Sequence, residues 1–227
     1  MYENNNNDLD LNHKVELFSR KYNLKININN QVPYLACYDR YGGEISINLE
    51  LLKHYTPLIN IYGISTSRII EALIYHEYMH KILHERESSK ILATYYDVEA
   101  SRRNVEIILE EIEHYIILKE TSYRDVEYVL YRLWINDVVN NFFKINYHYD
   151  IMMILLRLAY GLALGFIHTE EIPKPYKSKL LYKLAIFFSK IDKTTIQDMF
   201  EKIIDILTSE ELYIITMKLI ETDHQDK

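Results

Sequence analysis

The spacing of apolar residues changes character once along this 227-residue chain, near position 65. Upstream, the periods are mixed. Leu11 to Tyr22 sets Val15, Leu17 and Phe18 on one side and predicts a helix, whereas Leu24-Lys25-Ile26-Asn27-Ile28 alternates at period two and predicts a strand. Residues 34–38 and 44–48 flank Gly42-Gly43, a pair that tolerates the positive φ angles of a hairpin turn. Within 44–48 the alternation turns Ile45 and Ile47 toward a core and Ser46 and Asn48 away from it. Leu49 to Tyr55 predicts a short helix that Pro57 ends. Downstream of Ser65 the apolar runs have helical period, over about 66–87, 91–119, 123–145, 150–168, 176–190, 194–207 and 209–221. The expected fold class is α+β and predominantly helical. A small sheet lobe and the helix that follows it fall within residues 1–120, and a helical C-terminal lobe occupies 121–227.

The helix predicted over 66–87 carries the chemistry. Ser65, Thr66 and Ser67 offer an N-cap after the break at Gly63. Ile69, Ile70, Leu73, Ile74, Met79, Ile82 and Leu83 leave it little polar surface, so it is expected to be buried, and buried histidines on it need partners. His76-Glu77-Tyr78-Met79-His80 spells H-E-x-x-H. A four-residue step is about 6 Å of rise and puts both imidazoles on one face. Zinc takes imidazole nitrogens at about 2.0–2.1 Å, so ligands on adjacent turns can share one ion. Glu77, beside the first ligand, is placed to take a proton from water that the ion activates. Without a metal, the same two residues would be core histidines bonded to backbone or carboxylate.

Composition narrows the setting. A hydrophobic content of 48% supports a real core, and 26% charged residues support a polar surface. The net charge of −7, with no Lys/Arg-rich block, argues against a nucleic-acid partner, which needs a concentrated basic face. A single cysteine, Cys37, rules out an internal disulfide framework and a thiolate zinc site, and points to a cytoplasmic protein. Met1-Tyr2-Glu3 and the four Asn after it lack the basic and apolar regions of a signal peptide. Ile151 to Ile167 is nearly all apolar and contains Gly161-x-x-x-Gly165, which would suit a short membrane helix. Arg157 at its middle, and a length short of about 20 residues, favour a buried helix instead.

A catalytic zinc usually takes three protein ligands and leaves one position for water. His84 continues the spacing of His76 and His80, but on an unbroken helix it lies about 12 Å from His76, too far for one ion. No glycine between His80 and His84 offers a break. Glu99, nineteen residues after His80, is the stronger candidate. It falls near the start of the next helix, and a hairpin turn through Glu85 to Lys90 would return it over the pair. Asp97, Glu106 and His114 are lesser candidates.

The order of a Gly-Gly hairpin with Glu44-Ile45-Ser46-Ile47-Asn48, then His76-Glu77-x-x-His80, then Glu99-Ala100 resembles the gluzincins, the thermolysin-type zincins with a glutamate third ligand. The short spacing is more similar to their compact relatives, the minigluzincins and the repressor-cleaving peptidases of mobile elements. The resemblance covers roughly residues 24–110. It implies a zincin-like core within 1–120, one Zn2+ per chain held by His76, His80 and Glu99, and Glu77 as the general base of a peptidase. It also implies that 44–48 is an edge strand that holds an extended peptide or protein substrate. One departure stands out: where such enzymes carry an Asp four residues after the third ligand to orient the first histidine, this chain has Arg103. Tyr95, Tyr96, Arg102, His114 and Tyr147-His148-Tyr149 are candidates to stabilise an oxyanion. Competing readings are a zinc-stabilised but non-catalytic helical domain, a peptidase class with a third histidine, and a membrane-associated peptidase. A homodimer is compatible with each.

Overall fold

The computed structural model describes the backbone of residues 4–94, 99–140, 148–190 and 196–207, with side chains except at 4–10, 87, 94, 99–104, 137–140, 148–150, 175 and 197. Along the chain run α1 (Asn4–Tyr22), β1 (Ile26–Ile28), β2 (Ala36–Asp39), β3 (Glu44–Ile47), α2 (Leu49–Asn60) and α3 (Thr66–Leu83). A π-helical turn (His84–Ser88) leads to α4 (Ser89–Thr94), followed by α5 (Glu99–Glu120), α6 (Arg124–Asn140), α7 (His148–Leu164), α8 (Lys179–Lys190) and α9 (Ile196–Leu207). The fold is predominantly helical, with one three-stranded sheet among the described residues. The helix expected at 209–221 lies outside them. Two compact units divide the chain: Met1–Glu85 with Glu120–Leu130, and Arg86–Lys119 with Tyr131–Lys227.

In the first unit the sheet has the order β1-β3-β2, with β3 parallel to β1 and antiparallel to β2. The expected hairpin forms. Gly43 has φ 67° and its N–H donates to the Asp39 carbonyl at 2.8 Å, closing the turn between β2 and β3. Ile45 and Ile47 are wholly buried, as their alternation predicts. Asn48 departs from that alternation and is buried. Its Oδ1 accepts from the Leu51 N–H at 2.9 Å and its Nδ2 donates to the Val32 and Asn30 carbonyls at 2.8 and 3.2 Å. At a strand–helix junction the N-cap bond, rather than the pleat, decides where the side chain points.

The helix α2 also runs on through Pro57 to Asn60 rather than stopping. An interior proline costs about 3 kcal/mol. Leu52 and Ile59, both wholly buried on this helix, return roughly 1.5–3 kcal/mol each and offset it.

The α3 helix starts where the serines predict: the Ser65 hydroxyl accepts from the Arg68 N–H at 3.3 Å. It buries Ile69, Ile70, Ala72, Leu73 and Ile74. The end of α1 packs on it, with the Tyr22 ring 5.6 Å from Tyr78 and 6.5 Å from Tyr75, and with Lys21 and Tyr22 both reaching Glu71. The expected hairpin turn at 85–90 is absent. The chain stays helical to Thr94 through the π-helical turn, because Ser88 is wholly buried and donates to the equally buried Glu113 instead of facing water.

In the second unit the apolar run 151–167 is a core helix. Leu155, Leu156, Leu158 and Ala159 of α7 are wholly buried, and Tyr160 meets Phe188 of α8 edge-on at 6.0 Å. Arg157 is neutralised inside the protein: its Nε donates to both Glu111 oxygens, at 2.9 and 3.0 Å. Burial pushes the Glu111 carboxyl up to about 7, against the pull of that guanidinium. The two glycines have local roles. A Cβ at Gly161 would collide with the Tyr131 hydroxyl, which donates to the Arg157 carbonyl at 2.9 Å. Gly165, at φ 71°, ends the helix so that the Phe166 N–H can reach the Gly161 carbonyl at 2.8 Å. Among the described residues, no helix is long and apolar enough to cross a membrane.

Candidate metal centre

The four-residue step on α3 does what its geometry requires. The His76 and His80 rings lie 5.0 Å apart, and both residues are buried together with Glu77. His76 Nδ1 and Glu127 Oε1 are 2.8 Å apart, and Glu127, in the first turn of α6, is 5% exposed. No carboxylate stands at position 103, and the one that meets His76 comes from a different helix. Two residues before Glu127 on α6, Asp125 accepts from Arg68 Nε and a terminal nitrogen at 2.9 and 2.8 Å. Arg68 holds the Asp125 carboxyl below its ordinary value, chiefly through this hydrogen bonding.

A third imidazole completes the group. His76, His80 and His114 each offer a ligand nitrogen, and these atoms all lie within 4.8 Å of one another. Tetrahedral zinc with nitrogens at 2.0–2.1 Å sets its ligand atoms ~3.4 Å apart, so the widest pair has to close by at most ~1.4 Å, within the reach of imidazole rotation. Three neutral nitrogen donors are also the ligand type that suits zinc. The residues present fit the ion. His114 had one sequence signal, a histidine among Ile112, Tyr115 and Ile117 on a helix whose neighbouring positions are buried.

The other expected site residues fall as follows. Glu99 is the first residue of α5, and its side chain lies outside the described residues, as does all of Asp97. Glu106 is half-buried and not part of the group. His84 sits in the π-helical turn, a departure from α geometry that the absence of glycine did not predict. It does not join the group, and its ring meets Tyr38 of β2 edge-on at 6.4 Å. The side chains of Tyr95, Tyr96, Arg102, Tyr147, His148 and Tyr149 lie outside the described residues.

The strand expected as an open edge is the middle one. Glu44, Ile45, Ser46 and Ile47 pair with β2 on one side, and Ile45 to Ile47 pair with β1 on the other, so ladder bonds occupy both sides of β3. Glu44 is also engaged by Lys25 and Asn27, and Asn48 is spent on its cap. The outer strands are β1 and β2. No known family model, curated protein or solved structure matches the chain.

Proposed function

We propose that this protein is a zinc-dependent peptidase in which His76, His80 and His114 hold the ion and Glu77 is the general base. What carries this is the buried H-E-x-x-H pair whose first imidazole meets a buried carboxylate at Nδ1. A carboxylate there keeps the proton on Nδ1 and makes Nε2 the nitrogen for a metal, while raising its basicity. A hydrogen-bonded core pair would account for His76 and Glu127 alone; the second imidazole, His80, on the same face and Glu77 beside the pair are what the metal reading adds.

Zinc held there supplies Lewis acidity, which brings the pKa of water down toward neutrality. Glu77 would accept the proton of a water attacking the scissile carbonyl and would hand it to the departing amine. The burial of His76, Glu77 and His80 keeps bulk water away from the proton transfer. With β3 internal, an extended peptide would add to the outer edge of β2, whose Tyr38 already touches His84 past the end of α3. A cytoplasmic peptide or protein substrate goes with the lone cysteine.

The third ligand separates this proposal from the gluzincin pattern. Glu99 and His114 are fifteen residues apart on one helix, about 22 Å of rise, so one ion cannot take both. The proposal takes His114.

The deciding experiment is elemental analysis with a chelator-reversible casein-type assay. One zinc per chain is expected, with hydrolysis lost on chelation and restored by zinc. The His76→Ala/His80→Ala double variant is expected to hold well under one equivalent. Full occupancy in that variant would end the metal reading, and zinc without hydrolysis would leave a zinc-stabilised domain. Glu127→Gln should keep the fold and lower zinc affinity by about 10–100-fold, measured by chelator competition. Parent affinity in Glu127→Gln would remove its orienting role.

A further inference from the structure

We propose that Glu111, clamped by Arg157 and Tyr160, is the residue that positions His114 for the metal. This rests on His114 being a ligand. Both residues belong to α5, one turn apart, and His114 Nδ1 lies 3.9 Å from Glu111 Oε2. That distance is in ion-pair range, and closing it by about 1 Å makes a hydrogen bond.

The carboxylate is held on several sides. Arg157 Nε donates to Oε1 and Oε2 at 2.9 and 3.0 Å, and the Tyr160 hydroxyl donates to Oε2 at 3.2 Å. Arg157 is itself seated over the Trp134 ring, 5.2 Å from its centroid, and its carbonyl accepts from Tyr131. Glu111 is 1% exposed, so water does not compete with His114 for Oε2, which has only Arg157 and Tyr160 as its other bonded donors here.

With Glu111 buried and Arg157 half-buried, this ion pair is a poor source of stability, because apolar side chains of similar volume often serve the fold as well or better. The Arg157 end of the pair sits in the middle of α7, among the buried Leu155, Leu156, Leu158 and Ala159. A positioning role accounts for it. An anchored carboxylate beside Nδ1 keeps the proton on that nitrogen and leaves Nε2 for the ion, the same device that Glu127 provides for His76. Two of the three imidazoles would then each be backed by a carboxylate, His76 by Glu127 and His114 by Glu111.

Zinc affinity of the full chain, by chelator competition, tests this with Glu111→Gln, His114→Ala and the double variant, alongside the unfolding temperature of each metal-free protein. Glu111→Gln is expected to weaken zinc by about 10–100-fold in the parent and to add nothing in the His114→Ala background. A purely structural role would lower the metal-free unfolding temperature alike in both backgrounds and leave affinity unchanged. Parent affinity in Glu111→Gln, or a loss that adds in full to His114→Ala, overturns the positioning role. If His114→Ala itself binds zinc as the parent does, the ligand assignment fails first and takes this inference with it. Should Glu111→Gln not fold, Tyr160→Phe removes one bond to the same oxygen and keeps the ion pair. It is expected to weaken zinc by about threefold or more, and no change there overturns the role as well.

Discussion

Glu77→Gln is expected to remain folded and zinc-bound while hydrolysis falls by about 10²–10⁴. Glutamine matches glutamate in shape, so the packing around this buried residue is kept. It cannot take up a proton, and in the proposed reaction Glu77 has to accept one and release it. Removing a buried negative charge does not threaten the fold, because the desolvation cost of the carboxylate goes with it. The informative measurement is kcat on a peptide substrate together with zinc content of the same sample. A parent kcat would mean that another residue is the base. Loss of zinc alongside activity would mean that Glu77 supports the metal rather than the proton.

His114→Ala is expected to weaken zinc by more than the about 10–100-fold that losing a carboxylate behind a ligand costs. Glu99→Ala and His84→Ala should leave affinity near the parent value. The contrast is sharp because α5 is one helix from Glu99 to Glu120, which keeps its first residue about four turns from His114. His84 is not part of the imidazole group, and the π-helical turn that holds it continues the helix rather than breaking it. A zinc titration in which Glu99→Ala is damaging and His114→Ala is silent would return the site to the gluzincin pattern.

Local rules make much of the fold, and the heart of the site, legible in the sequence. The His76–Glu77–His80 unit depends only on helical period, and the Ser65 cap and the Gly42-Gly43 hairpin depend on a few neighbouring residues. The burial of Ile45 and Ile47 follows from alternation alone, and the mostly helical class from periodicity after Ser65. These features need no knowledge of where the rest of the chain goes.

Other features were settled only by packing between distant segments. Glu127 lies 51 residues from His76, and no spacing rule connects them. His114 is one of several candidates by sequence, because nothing local says which face of α5 meets a ligand pair. The strand 44–48 reads as an edge or a middle strand with the same alternation, and its parallel pairing with Ile26 to Ile28 decided the matter. The segment 151–167 is compatible with lipid by composition; Glu111 for Arg157 and Tyr131 against Gly161 make it a protein core. By itself the sequence determined the placement of His76, Glu77 and His80 on α3 and the periodic elements around them, because both are short-range. The tertiary structure decided which imidazole and which carboxylates lie near the His76–His80 pair, and the strand order, because each joins residues that only folding brings together.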